Sequence, residues 1–189
     1  MATLFVDKVD PQSGTSLEIG SSGDTITIPS GATLTNNGTA TGFASSTPAF
    51  LATRDSNQSI SANTTTKIQY DDESFDTDNT YDNSSNYRFT PGVSGKYVIG
   101  ASAGVDTQSD HNHLSVEIRK NGTAIQRIYH NTGGGTIYDV SNAFAVVATA
   151  DGVDDYFEMY VKINWDGSST GKLLDEQNTQ FIGYKLLGA

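Results

Sequence analysis

The chain has 189 residues, enough for one ordinary domain with an appended segment, and its 35% hydrophobic residues can bury a real core. Its net charge of -11 excludes partners that are bound through clustered Lys and Arg, so no nucleic acid is expected. Cysteine is absent, which excludes disulfides and thiolate catalysis. No apolar run approaches the roughly 18 residues of a membrane span, so no membrane insertion is expected. The start lacks the features of a secretory signal, from which we expect synthesis in a cytoplasm.

Residues 1–43 form the first predicted segment, and their pattern of apolar residues and glycines differs from that of the remaining chain. Small apolar pairs recur at intervals of about eight or nine residues, and glycines separate them. The members of a pair lie two positions apart, so both would point to one side of a strand. Such a ribbon cannot bury a core alone, but three copies around an axis can pack together. We therefore predict a short β-rich trimeric stem with Ile26, Ile28 and Leu34 at its interface; a disordered Gly/Thr-rich tail is the alternative.

A joint of small residues at 44–48 leads into the predicted head, residues 49–189. Short two-faced strands follow each other there, separated by turn residues such as Asn121-Gly122, which favour a tight hairpin. The predicted strands are 67–70, 97–105, 114–119, 125–129, 143–148, 156–163 and 181–187. In residues 156–163 the apolar side chains alternate with polar ones, which predicts one buried face. Helical periodicity is missing throughout, so the pattern favours an all-β sandwich.

Four motifs of the predicted head resemble, in the correct order, those of the jelly-roll domains of the tumour necrosis factor and complement globular-head superfamily. Residues 48–53 look like the first strand of that family, and residues 118–122 resemble its "K-N-G" hairpin. Residues 87–97 resemble the core motif "F-T-P-x-x-x-G-x-Y", and residues 181–187 resemble the closing strand "F-x-G-x-x-L". The resemblance implies a jelly roll of about ten strands, assembled as a homotrimer, that binds ligands and is not an enzyme.

The closing strand is strongly apolar, and we expect Phe181, Tyr184 and Leu186 at the trimer interface. A stem of Ile, Leu and Thr stands where complement-type heads carry a collagen stalk, and this arrangement resembles a bacteriophage fibre. We therefore expect a virion structural protein, a tail or capsid fibre whose stem attaches to other virion proteins. Its head would bind a host surface glycan or protein. A capsid or tail decoration protein without host contact is the alternative, and a polysaccharide depolymerase is a more distant one.

Three turn-associated aromatic residues are candidates for stacking on sugars, because aromatic rings offer a large rigid contact surface. They are Tyr129, Tyr138 and Trp165. No catalytic motif competes with this interpretation. The strand carboxylates Glu117 and Glu158 alternate with the buried face, which favours a structural role for both.

Two sets of residues are candidates for metal ligands. His111 and His113 would share one face of a strand and could chelate zinc or nickel; a polar loop is the alternative. Asp76 and Asp78 begin a segment like an EF-hand loop, but the glycine and the final glutamate of that motif are absent. We therefore expect no cofactor, and calcium is the alternative left open.

Overall fold

The structure is a computed structural model that describes residues 7–38, 46–106, 111–131, 133, 140–164, 170–175 and 178–187. Its contacts divide the chain into two compact units, Met1–Phe43 and Ala44–Ala189. All strands of the described residues belong to the second unit. Over these same residues, no helix is long and apolar enough to cross a membrane.

The first unit contains two turns in its described part. The amide of Asp24 donates to the carbonyl of Ser21, and the amide of Ala32 donates to that of Pro29. Gly23 and Gly31 occupy the third position of these turns with φ of 95° and 85°, which is the left-handed conformation that a type II turn requires there. Gly23 and Gly31, two of the regularly spaced glycines of the sequence, are therefore turn residues.

Residues 7–38 contain no strand in the single chain, and the predicted β-rich trimeric stem stays a prediction. The apolar side chains that would face each other across a trimer axis are exposed instead. Ile26 is 61% exposed, Ile28 50% and Leu34 68%. A strand needs a ladder partner and a surface to bury its apolar face against, and a ribbon of this length supplies neither for itself.

The second unit contains thirteen strands in its described residues, rather than about ten, because the total includes three that are only two residues long. They are β1 (Ala49–Thr53), β2 (Gln58–Ser61), β3 (Thr66–Lys67), β4 (Asp72–Asp76), β5 (Tyr81–Asp82), β6 (Arg88–Phe89), β7 (Gly95–Asp106), β8 (His113–Lys120), β9 (Thr123–Asn131), β10 (Val140–Ala150), β11 (Phe157–Asn164), β12 (Thr170–Leu173) and β13 (Gln180–Lys185).

These strands form two antiparallel sheets. The first sheet has the order β2-β12-β7-β13-β1-β4, and β10 pairs with β7. The second has the order β5-β6-β11-β8-β9, and β3 pairs with β11. The predicted all-β sandwich is confirmed, since both sheets turn one face toward a common core.

An aromatic cluster fills part of this core. The ring of Phe50 stacks on that of Tyr81 with centroids 4.8 Å apart, and it meets Phe181 edge to face at 4.9 Å. Phe89 and Tyr70 complete the cluster. Offset and edge-to-face pairs of this kind contribute roughly 0.5–1.5 kcal/mol each beyond the area that they bury. The cluster joins residues from β1, β5, β6 and β13, and it therefore ties the two sheets together.

The predicted two-faced strand and the predicted hairpin are both confirmed. In β11, Phe157, Met159, Val161 and Ile163 are fully buried. Asn121-Gly122 connects β8 to β9, with φ of 51° and 78°, as expected for a two-residue turn that needs two left-handed residues.

Candidate functional site

Tyr129 is the one predicted ligand-binding residue whose surroundings the structure describes, because Tyr138 and Trp165 lie outside the described residues. It stands on β9, and its side chain is 58% exposed on the outer face of the second sheet. The ring of His113 meets it edge to face at a centroid distance of 5.8 Å. The surroundings of Tyr129 therefore form the candidate site.

Three neighbouring strands bring polar side chains together around Tyr129. Ser115 in β8 pairs with Tyr129 in β9 and with Lys162 in β11. Two residues further along β8, Glu117 pairs with Arg127. These side chains alternate with core residues, so they share the outer face. They line a cleft of about 190 Å³, called here the charged cleft, whose residues are Thr65, His113, Ser115, Glu117, Arg119, Arg127, Tyr129 and Lys162.

Glu117 is buried in the charged cleft, with only 3% of the residue exposed. Its Oε2 accepts a hydrogen bond from Nε of Arg119 at 3.1 Å, and its Oε1 lies 3.0 Å from Nη2 of Arg127. Burial raises the pKa of the Glu117 carboxyl, but the hydrogen bonds and charges of the two arginines outweigh burial, so the pKa lies below its ordinary value. Glu117 is therefore an anion that fixes both guanidinium groups.

The guanidinium group of Arg127 is fixed by hydrogen bonds to neighbouring side chains but remains partly exposed to solvent. Its Nη1 donates to the hydroxyl of Tyr129 at 3.0 Å, while the side chain as a whole is 41% exposed. The bond to Glu117 raises the pKa of Arg127, so the guanidinium stays charged. A guanidinium has about five N–H donors, and hydrogen bonds to Glu117 and Tyr129 leave some of these for a ligand.

A second buried carboxylate lies beside the charged cleft. Glu158 is 5% exposed, forms an ion pair with Lys67 and accepts a hydrogen bond from the hydroxyl of Tyr160 at 3.2 Å. The guanidinium of Arg119 lies 4.1 Å from the centre of the Tyr160 ring, which is a cation–π contact. This network leaves little freedom to Arg119, and Arg119 in turn orients Glu117.

The charged cleft carries more positive than negative charge. Three of its side chains are cationic, Arg119, Arg127 and Lys162, and one is a carboxylate, Glu117. Over the part of the chain that the structure describes, Lys162 forms no ion pair. A positive cleft on a molecule with a net charge of -11 is suited to an anionic group.

The two predicted metal-binding histidines do not share a strand face. His111 is 1% exposed and precedes β8, whereas His113 is the first residue of β8 and contacts Tyr129. Among the described residues, neither histidine belongs to a group of three ligating side chains. Zinc or nickel binding at this pair stays a prediction.

The EF-hand-like segment is a turn that Asp76 holds together. The carboxylate of Asp76 accepts hydrogen bonds from the amides of Thr80 at 2.6 Å and Tyr81 at 2.7 Å. Asp78 is exposed and accepts a hydrogen bond from the Thr77 hydroxyl at 2.6 Å. Asp76 therefore organises the segment between β4 and β5, and calcium binding there stays the open alternative to the expected lack of a cofactor.

The described residues bring three acidic side chains together at a different place, Asp151, Asp154 and Asp155. Asp155 is already paired with the ammonium group of Lys120 at 2.7 Å and with the amide group of Asn121 at 2.6 Å. These bonds tie the β10–β11 loop to the β8–β9 hairpin, which is a structural function.

The predicted trimer-interface residues of β13 face two different sides of the first sheet. Phe181 is fully buried and belongs to the aromatic cluster of the core. Its assignment to a trimer interface is therefore wrong. Tyr184 is 38% exposed, on the opposite side of the sheet. Leu186 follows β13 and is half-buried. The contributions of Tyr184 and Leu186 to an interface stay predictions.

Tyr184 belongs to a broad apolar surface on the outer side of the first sheet. One row across the strands is Val147, Val98 and Tyr184, and the adjacent row is Ala145, Gly100, Ile182, Leu51 and Phe75. We call these eight residues the apolar face. Val147 is 58% exposed and Phe75 46%, and a shallow groove of about 490 Å³ runs past Ala145 and Ile182.

The arginines and the lysine of the charged cleft were not predicted from the sequence. Alternation within 125–129 places Arg127 and Tyr129 on one face, and that signal was available. The pairing of Ser115 with Tyr129 and Lys162 was not available, because register between strands depends on the whole sheet.

Comparison with solved structures defines the fold of the second unit. The chain is similar to Eiger TNF from S. frugiperda, with a TM-score of 0.54 and 10% identity over 75% of this chain and 93% of that one. It is similar to the globular domain of zebrafish complement 1qA protein, with a TM-score of 0.53 and 14% identity over 74% of this chain and 96% of that one.

A third similar structure is murine APRIL, with a TM-score of 0.55 and 10% identity over 73% of this chain and 98% of that one. The fold is therefore a jelly roll like that of TNF and complement globular domains, as the sequence motifs predicted. No protein-family model matches the chain, and no curated protein is significantly similar to it in sequence.

Proposed function

We propose that this chain is a non-enzymatic structural protein of a virion, a homotrimeric phage fibre whose head binds a glycan or protein on the host surface. The observation that carries the proposal is the apolar face. Residues of β4, β1, β13, β7 and β10 form on it a continuous surface of small and apolar side chains. Contiguous exposed apolar surface of this kind is typical of protein contacts. In this proposal two further copies of the chain cover it.

The first unit supports the same assembly. Its large apolar side chains are exposed along its described length, with Leu17 at 44%, Ile19 at 65% and Leu34 at 68%. A single copy gains nothing by exposing them, whereas three copies would bury them against each other. We propose that trimerisation forms the stem, and that the stem attaches the head to other virion proteins.

A head held in three copies needs only a weak site in each, because multivalent binding multiplies affinity. The charged cleft lies on the second sheet and the apolar face on the first, so binding and assembly use different sheets of the sandwich. A decoration protein of a capsid or tail would have the same fold and the same trimer, but no use for an outward-facing site.

The first experiment is the solution mass of the full chain by light scattering. We expect three times 20.1 kDa. Val147→Glu places a charge on the apolar face, at a side chain that is 58% exposed, so it should leave the fold intact and give a monomer. Val153→Glu is the matched control, because Val153 is 80% exposed in the β10–β11 loop and should not affect the mass. A monomeric wild-type chain would contradict the proposal.

A second experiment separates host binding from decoration. The labelled full chain is mixed with whole host cells and, separately, with particles that lack the protein. A fibre should bind both, through its head and its stem respectively. Binding to particles alone would indicate a decoration protein, and release of soluble sugar from the cells would indicate a depolymerase.

A further inference from the structure

The charged cleft combines features that suit one class of ligand, and the identity of this ligand rests on the proposed host-binding function and refines it. The cleft has three cations and one carboxylate, on a chain with twice as many acidic as basic side chains, 22 against 11. Neutral sugars would gain nothing from this local charge, whereas an anionic group is attracted to it. The long-range field of the acidic molecule opposes anions, so the attraction has to come from direct contact in the cleft.

The cation geometry fits a carboxylate. Arg127 is anchored to Glu117 at 3.0 Å and to the Tyr129 hydroxyl at 3.0 Å, so its guanidinium is fixed in place before a ligand arrives. A planar guanidinium can give two parallel hydrogen bonds to a carboxylate. Lys162 lies two strands away on the same face and adds a second positive charge. Preorganised donors of this kind lower the entropic cost of binding.

The remaining lining residues fit a sugar ring. The exposed ring of Tyr129, with His113 against it, offers a flat surface on which the C–H face of a pyranose can stack. Thr65 and Ser115 add hydroxyl groups, which can exchange hydrogen bonds with sugar hydroxyls. The cleft of about 190 Å³ accommodates one small ring and not a folded peptide. A peptide carboxylate would use the cations and leave the aromatic surface uncovered.

We propose that the charged cleft binds an acidic monosaccharide residue, such as a uronic acid, of a host surface polysaccharide. Arg127 and Lys162 bind the carboxylate, Tyr129 stacks on the ring, and Glu117 positions Arg127.

The test is a saturation-transfer NMR titration of the full chain with sodium glucuronate, with glucose, sodium acetate and a short acidic peptide as comparison probes. We expect saturation of the glucuronate ring protons and binding about tenfold or more stronger than for each comparison probe, because only glucuronate engages both the cations and the ring. Equal binding of acetate or of the peptide would overturn the sugar assignment. Equal binding of glucose would overturn the role of the cations.

Variants locate the site. Arg127→Gln and Lys162→Gln should each weaken glucuronate binding about tenfold, since each removes a charge-assisted contact. Lys172→Gln is the matched control, because Lys172 is an exposed cation of the first sheet and should have no effect. Circular dichroism and light scattering of each variant show whether fold and assembly are retained. Unchanged binding by a folded Arg127→Gln variant would overturn the proposal.

The outcome for the site and the outcome for the proposed function are distinguishable. A full chain that binds host cells equally well with and without Arg127→Gln would keep the host-binding function and reject this site. A chain that binds glucuronate but no host cells would keep the site and reject the adhesin role.

Discussion

Glu117 shows at the scale of one residue how the acidic chain supports a positive cleft. Its buried carboxylate is compensated by Arg119 and Arg127, and removing the charge leaves two guanidinium groups without their anion. We expect Glu117→Gln to lower the free energy of unfolding by about 3 kcal/mol, in the range known for broken buried ion pairs. Urea denaturation at pH 7 measures it. Glu18→Gln, at an exposed position of the first unit, is the control and should have no effect.

Comparison of the wild-type chain with Glu117→Gln also predicts how the free energy of unfolding depends on pH. The pKa of Glu117 in the folded chain lies below the ordinary value of 4.5, so this carboxylate contributes stability above that value and loses it as pH falls through the folded pKa. The difference in unfolding free energy between wild type and Glu117→Gln should therefore be constant near pH 7 and shrink below pH 4.5. A difference that grows on acidification would contradict the ion-pair account of Glu117.

Gly183 shows at the scale of the strand why the closing strand of the motif has its glycine. A Cβ atom at Gly183 would lie 2.6 Å from Phe50 and 3.2 Å from Phe89, inside the aromatic cluster. We expect Gly183→Ala to destabilise the head by about 1–3 kcal/mol through overpacking, measured as a lowered urea midpoint. Gly38→Ala is the control, since its new methyl group would meet only the Asn36 side chain at 3.6 Å. Equal midpoints for the two variants would contradict this explanation.

Strand-scale patterns predicted much of the fold, because alternation with a period of two is a property of the chain itself. It located the buried face of β11 and, with Asn121-Gly122, the β8–β9 hairpin. The same alternation argues against the predicted assignment of both Phe181 and Tyr184 to one interface, because residues an odd number apart point to opposite sides of a strand. The charged cleft could not be predicted from the sequence, because alternation within a strand does not give the register between strands. Its cations come from three strands, and their register is set by the packed sheet.

At the scale of the whole molecule, the first unit differs from the second because the large apolar residues among its described positions are exposed. Ile19, Ile26 and Leu34 are each more than half exposed. Burying them in a trimer would stabilise the stem by roughly 25 cal/mol for each Å² of apolar surface removed from water. This gain exists only when three heads hold three stems close together. Order in the stem should therefore depend on residues of the apolar face, far along the chain.

Limited proteolysis with thermolysin, which cleaves before large apolar residues, measures this dependence. We expect the stem of the wild-type chain to be cut slowly and that of Val147→Glu to be cut much faster, at sites such as Ile19, Ile26 and Leu34, because the variant cannot assemble and leaves them exposed. Val153→Glu should be cut at the wild-type rate. Rapid cleavage of a wild-type chain that light scattering shows to be trimeric would mean that the heads alone hold the trimer and that residues 1–43 remain a tail.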